Sequence, residues 1–300
     1  MRQQFVRNAL DRGEEGAAWL KRIPDLVRRA ERTWSISAGR PFELSYNYVA
    51  PAEMRDGTHL VLKIGFPGDK EFQSEIDSLL LFNGKGMARL LEYERDYATM
   101  LLERIEPGSS LEEVQDDANA TRVLASVAST IHRPLNETHN FPSVADWFGG
   151  FGRHRNAFDG STGPMPSRIF EEAEELYAEL IATMTRPGLV HGDLHHGNVL
   201  SGNREPWIAI DPKGVIAELA FETAAMLRNP YSRVEQSTNM YQLLTGRIII
   251  LSEELEIEPD RIRNWGFAQT VLSAIWSIED HGIGWEFPMA VAAVLKSIRL

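Results

Sequence analysis

The stretch Leu189-Val190-His191-Gly192-Asp193-Leu194-His195-His196-Gly197-Asn198-Val199-Leu200 decides the reading of this chain. A short apolar strand runs into a loop that carries one aspartate. An asparagine follows five positions later, and a second apolar strand, Trp207-Ile208-Ala209-Ile210, delivers Asp211. Phosphoryl transfer from a nucleotide needs a carboxylate beside the attacking hydroxyl and hard oxygen donors that hold a divalent cation against the phosphates. Asp193 supplies the first, as catalytic base. Asn198 and Asp211 supply the second, as Mg2+ ligands. The three histidines of the loop leave a competing reading open, a histidine metal cluster, although no helix carries them and no separate acidic set accompanies them.

A kinase also needs a lysine on a strand for the phosphates and an acid on the following helix to hold it. The segment 59–65, HLVLKIG, alternates as a strand and places Lys63 there. The amphipathic stretch 69–82 offers Glu75, with Glu71 one turn earlier as the rival partner, and Phe72, Ile76, Leu79 and Leu80 as its apolar face. Met100-Leu101-Leu102-Glu103-Arg104 takes the place of an inter-lobe linker, where backbone groups at Leu102 and Glu103 would read adenine. The usual glycine triplet over the phosphates is missing. Ser45-Tyr46-Asn47-Tyr48 stands in its place, with Ser45 and Asn47 as the candidate phosphate contacts.

Further out, residues 19–34 recur at helical spacing, with Pro24 expected to break or restart the helix. Pro51 is expected to end a strand that starts near Ser45. Residues 89–93 and 97–103 read as two more strands. Glu106-Pro107-Gly108-Ser109-Ser110 is a breaker cluster, and the boundary between two lobes is placed near it, giving 1–104 for a nucleotide-binding lobe and 105–300 for a catalytic lobe. Helices then dominate: 118–132, a short one around 144–153 within the loop-rich 134–166, 167–185 with Ser167 as N-cap, and 262–279. A strand-rich first third and a helix-rich remainder make an α+β chain.

Composition sets the outer limits. The chain has 300 residues, 43% hydrophobic and 25% charged, which suits a folded protein with a sizeable core. It has no cysteine, which removes disulfides and thiolate chemistry. The net charge of −12 disfavours nucleic acid as a partner and suits a cationic small molecule. No apolar run reaches membrane-spanning length and no signal-like segment opens the chain, so a cytoplasmic location is the expectation; the oligomeric state is left open, a monomer being compatible with the sequence.

These motifs together resemble the aminoglycoside phosphotransferases, which share the protein-kinase-like fold. Residues 45–51 (SYNYVAP), 190–200 (VHGDLHHGNVL), 209–214 (AIDPKG), 224–230 (AAMLRNP) and 276–282 (WSIEDHG) are similar to the streptomycin 6-kinase and hydroxyurea-resistance branch. The resemblance runs from about residue 40 to about residue 285. It implies ATP and Mg2+ as cofactors and a cationic aminocyclitol or aminoglycoside as acceptor, inactivated by phosphorylation. It also implies a carboxylate-lined substrate site, for which the candidates are Glu218, Glu222, Glu279 and Asp280, with Trp276 to stack on a guanidinium. Glu218 and Glu222 also fit a plain helix start, where acids favour the dipole. Two other readings remain: a kinase of this fold acting on another hydroxylated metabolite, and a catalytically silent nucleotide-binding regulator.

Overall fold

The computed structural model describes residues 3–135 and 140–300. Part of the loop expected at 134–166, residues 136–139, lies outside the described residues. The chain forms two compact units, one of residues 1–108 with 202–208, the other of 109–201 with 209–300. The α+β plan is the one observed, with strands concentrated in the first unit and helices in the second.

The first unit opens with α1 (Gln3–Leu10) and α2 (Gly13–Trp34). Helix α2 is continuous through Pro24, against the expected break. Its buried face, Trp19, Ile23, Leu26 and Ala30, packs on the sheet core. Pro24 sits on the exposed face, so the carbonyl it leaves unbonded one turn earlier is within reach of water. Strands β1 (Ile36–Ala38), β2 (Tyr48–Met54) and β3 (His59–Ile64), helix α3 (Lys70–Phe82), and strands β4 (Leu90–Glu94) and β5 (Thr99–Glu103) follow. They make an antiparallel sheet in the order β1-β2-β3-β5-β4. Pro51 lies inside β2 and does not end it. Its carbonyl accepts from Gly39 (2.7 Å). The donor it lacks therefore faces the β1 side, where the ladder has already stopped at the Ala38–Ala52 pair.

Helix α3 starts at Asp69, whose side chain accepts from the Glu71 N–H. Phe72, Ile76 and Leu79 are buried as expected, but Leu80 is exposed, one position off the inward stripe. Gly65, at the end of β3, has to be glycine: a Cβ there would stand 2.2 Å from the Phe72 ring.

Strand β6 (Pro107–Ser110) leads to the second unit, in which α4 (Asp117–Ile131), β7 (Arg133–Pro134), α5 (Val144–Ala157) and α6 (Ser167–Ala182) precede the site. Helix α5 is longer than expected, because the capping box of Ser143 and Asp146 starts it firmly. Ser167 is the first helical residue of α6 and not its cap. Its hydroxyl is paired with Thr162 (3.1 Å). Strands β8 (Gly188–Val190), β9 (Val199–Gly202) and β11 (Val215–Ala217) are short, as is β10 (Trp207–Ala209), of which Trp207 and Ile208 belong to the first unit. Helices α7 (Leu219–Arg228), α8 (Tyr231–Glu235), α9 (Met240–Leu255), α10 (Pro259–His281) and α11 (Glu286–Ser297) complete the unit. Helix α10 packs against α5, α6, α7, α9 and α11, which explains why its middle is buried on all sides.

Candidate active site

In the second unit, β8 is the middle strand of a sheet in the order β11-β8-β7. Val190 pairs with Val215, so the chain leaves this sheet at His191 and re-enters it at Gly214. The His191 carbonyl accepts from both Lys213 (2.8 Å) and Gly214 (3.1 Å), which closes the base of the loop. Gly192 turns the chain with φ +87°. A side chain there would meet Val215 at 2.9 Å and Trp147 at 3.1 Å.

Backbone bonds then lace the three segments together. The Ile210 N–H donates to the Asn198 carbonyl (2.9 Å), and Asn198 Nδ2 donates to the Asp193 carbonyl (2.9 Å). His191 Nε2 donates to the Ile210 carbonyl (2.8 Å), while its Nδ1 accepts from the Asp193 N–H (3.2 Å). That is the pattern of a neutral ring, and burial holds the His191 pKa down at about 4. Asp193, Asn198 and the residue before Asp211 thus belong to one hydrogen-bonded network. Asp211 itself has φ +60°, a strained backbone for a residue with a side chain. Asn198 spends its nitrogen on Asp193, so its oxygen is the end left to face elsewhere. One amide oxygen and one carboxylate suit Mg2+, which keeps several of its ligand positions for water or phosphate.

The Asp193 carboxylate is partly exposed. His195 Nε2 and an Arg228 nitrogen each lie 3.8 Å from one of its oxygens. Burial works to raise its pKa, but His195, Arg228 and Lys213 outweigh it and leave the acid below its ordinary range. Asp193 is therefore ionised at neutral pH. His196, by contrast, is wholly buried, and burial with the nearby Arg247 charge pushes it down to about 3. Among the described residues no group of three or more His, Cys, Asp or Glu could hold a metal, so the histidine-cluster reading finds no support there.

In the first unit, Lys63 Nζ stands 2.6 and 2.7 Å from the two carboxylate oxygens of Glu75, and both residues are buried. Glu71 is exposed on the first turn of α3, so the rivalry resolves to Glu75. Leu102 and Glu103 are strand residues of β5, not an open linker. Leu102 is paired to Val61 on one side and Leu90 on the other, and the Glu103 N–H is donated to Arg89 (3.0 Å). The Glu103 side chain takes Arg204 (2.6 Å). The stretch free of regular structure begins one residue later, at Arg104. Ser45 and Asn47 lie in the irregular segment before β2, and the Ser45 carbonyl accepts from Asn8 (3.1 Å).

The acids expected around a cationic substrate divide. Glu218 is buried and is bonded to Arg261 (2.6 Å), Trp265 and the Thr185 N–H (3.0 Å). Glu222 is buried and accepts the N–H groups of Gly192 (3.1 Å) and Leu194 (3.3 Å). Both are occupied inside the protein, which corrects the expectation that they face a ligand. Glu279 and Asp280 are exposed at the end of α10. Glu279 pairs with Arg153 on α5 (3.0 Å), and Trp276, half-buried, meets Trp147 edge to face at 5.3 Å.

The sequence reading missed Arg228, Lys213 and Trp147. A lone arginine that closes an apolar helix reads as a dipole cation, and only the packed loop shows that it approaches Asp193.

Comparison with known proteins gives a consistent family. A family model described as aminoglycoside/hydroxyurea antibiotic resistance kinase matches residues 34–281. The chain is 31% identical to a streptomycin 6-kinase of Streptomyces griseus, over 89% of this chain and 87% of that enzyme. It is 30% identical to a hydroxyurea phosphotransferase of Kitasatospora aureofaciens, over 94% of this chain and 82% of that one. Among solved structures, the choline kinase LicA of Streptococcus pneumoniae superimposes with a TM-score of 0.67 at 14% identity, covering 92% of this chain and 99% of LicA. At that identity the likeness speaks for the kinase-like fold.

Proposed function

We propose, from the premise that this chain belongs to the aminoglycoside/hydroxyurea antibiotic resistance kinase family and is a phosphotransferase with an alcohol group as acceptor, that it carries the γ-phosphate of ATP to a hydroxyl of a streptomycin-like aminoglycoside. The observation that carries the reading is the bonding of Asn198 to the Asp193 carbonyl and the Ile210 N–H, which ties the backbone segments that carry Asp193, Asn198 and Asp211 into one network.

Asp193 orients the acceptor hydroxyl and takes its proton. An acid with a lowered pKa is a weak base, which suits a loose transition state in which the proton leaves late. Asn198 and Asp211 would hold Mg2+, which when bound neutralises phosphate charge. Lys63, kept charged and in place by Glu75, binds phosphate oxygens. Backbone from Arg104 onward, and not Leu102 or Glu103, is the better candidate for reading adenine. Glu279 and Asp280, exposed beside Trp276, receive the cationic groups of the acceptor, and the net charge of −12 favours the encounter. The protein acts on a small molecule and needs no nucleic acid or membrane. None of the described helices is long and apolar enough to cross a bilayer.

A second acceptor class has its own support, the hydroxyurea phosphotransferase relative. The test is a panel of streptomycin, other aminocyclitols, hydroxyurea and choline with ATP and Mg2+, read by the mass gain of one phosphate. Transfer to streptomycin at catalytic rates is the expected result. Transfer to another member alone would move the acceptor assignment to that class. No transfer to any would remove the proposal.

A further inference from the structure

Helices α1 and α2 pack on the sheet of the first unit, and the span matched by the family model begins at residue 34, where α2 ends. The inward face of α1 carries Phe5, Asn8 and Ala9 at helical spacing. Phe5 and Ala9 belong to the sheet core, and the Phe5 ring lies 5.5 Å from that of Trp19 on α2. Asn8 is a poor helix former and only 8% exposed, so its amide needs bonds at both ends. Both are present. Its oxygen accepts from Gln4 Nε2 (2.8 Å), and its nitrogen donates to the Ser45 carbonyl (3.1 Å), 37 residues on. A carbonyl can only accept, so it dictates which end of the amide faces it. Ser45 sits at the tip of the irregular segment 39–47. The base of that segment is tied twice to β2, by the Gly39 N–H to the Pro51 carbonyl (2.7 Å) and by the Phe42 N–H to the Val49 carbonyl (2.9 Å). Beyond Phe42 the chain exposes Glu43, Ser45 and Tyr46, and Leu44 turns into the core. Pinning the Ser45 carbonyl fixes the plane of the peptide that joins Ser45 to Tyr46.

We propose that Asn8 is a positioning residue for the nucleotide, holding residues 44–47 against α1 so that Ser45 and Asn47 are placed to contact the phosphates of ATP. The proposal rests on the reading of Ser45 and Asn47 as phosphate contacts. A loop rich in glycine moulds its backbone around phosphates. One without a glycine triplet has to be built in shape beforehand, and a bond from outside the loop supplies that shape. Less of the chain is then ordered at the moment of binding, which lowers the entropic cost. A second contact of the same helix pair points the same way. Arg12, in the turn between α1 and α2, bonds Asp69 at the start of α3 (2.8 Å) and lies 4.5 Å over the Phe66 ring. The helix pair thus touches both segments that supply phosphate-binding groups: the one that carries Ser45 and Asn47, and the connection between Lys63 and its partner Glu75.

The test compares the full wild-type chain with Asn8→Ala, Asn8→Asp and Gln4→Ala by calorimetric titration of ADP and of adenosine, each with Mg2+. Asn8→Asp keeps the shape and loses the donor. Both Asn8 variants are expected to bind ADP about tenfold more weakly, the worth of one hydrogen bond, while adenosine affinity stays within about twofold. With ATP and an acceptor, the KM for ATP should rise by a like factor and kcat should stay within about twofold. Amide exchange of residues 43–47 should quicken by roughly tenfold. A merely structural role would lower Tm and leave the ratio of ADP to adenosine affinity at its wild-type value. An unchanged ratio therefore overturns the proposal, as does ADP affinity within about twofold of wild type in Asn8→Ala. Gln4 is exposed, so Gln4→Ala leaves the core intact. It frees one end of the Asn8 amide and should weaken ADP by about threefold and adenosine not at all. If neither Asn8 variant folds, wild-type ADP affinity in Gln4→Ala overturns the proposal. Wild-type ADP binding by the double variant Ser45→Ala, Asn47→Ala would remove the phosphate-contact reading and the proposal with it, and quickened exchange in Asn8→Ala would then mark the bond as structural only. The binding measurements need no acceptor, so they stand whichever acceptor the enzyme uses.

Discussion

Glu75 and Glu222 are both glutamates taken almost wholly out of water, yet they are treated in opposite ways. Glu75, in the strand-rich unit, meets a full positive charge at 2.6 Å and stays paired with it. Glu222, in the helical unit, meets only peptide N–H groups, and burial raises its pKa to about 7. A buried carboxylate faced by a cation is neutralised as a pair. One faced by dipoles keeps its own desolvation cost and becomes a titrating group. The first arrangement fixes a charge that must always be present on Lys63. The second fixes a loop shape at a cost to stability.

The largest effect tests the purpose of that loop. Asp193→Asn is expected to lower transfer by roughly a thousandfold while nucleotide affinity, measured by calorimetry, stays within about twofold. An active Asp193→Asn chain would leave the loop that Glu222 holds without a catalytic purpose. Next comes the paired acid. Lys63→Met strands Glu75 without its cation and should cost about 3 kcal/mol in urea unfolding, with loss of ATP binding. Adding Glu75→Leu should restore most of the stability and none of the binding. If the single variant is as stable as wild type, the contrast between the two glutamates disappears. A smaller effect comes from Glu222→Gln, which is expected to gain on the order of 2–3 kcal/mol relative to wild type as pH rises from 5 to 8.5, followed as the shift in unfolding midpoint. The folded chain keeps the Glu222 proton up to about pH 7, whereas the unfolded chain releases it near the ordinary value of 4.5, so the contribution of this group to stability is full below the unfolded value and lost as pH rises through the folded one. The smallest is at the surface, where Arg153→Ala breaks an exposed pair with Glu279 and should change stability by less than about 0.5 kcal/mol. The acceptor KM is the sharper readout there, because Glu279 freed of Arg153 should bind a cationic acceptor more tightly.

Most of the elements were legible because their signals are local. The alternation of 59–65 and the amphipathic stretch 69–82 involve residues close in sequence, whereas the breaker cluster at 106–110 came out as strand β6, because its pairing partner lies far along the chain. The two proline errors share one cause. Proline is read as a breaker unless its missing N–H faces nothing, and which way that N–H faces depends on neighbours. Pro24 lies on the exposed face of α2, where the carbonyl it leaves unbonded can reach water, and the donor that Pro51 lacks would point past the end of β1. That Leu102 and Glu103 are strand residues was hidden for a similar reason: only the strands on either side reveal their pairing.

By itself the sequence determined the candidate set on which the proposed reaction rests. The spacing of Asp193 and Asn198, the strand that delivers Asp211, and a lysine on β3 with an acid on the next helix are short-range facts, and a short-range pattern survives in the linear order of residues. Tertiary structure alone decided which acids turn inward. Nine of the ten residues of α7 are buried. A helix enclosed on every side has no polar face to mark its direction. Whether Glu218 and Glu222 meet solvent, an arginine or the amides of a loop was therefore set by the elements packed around them.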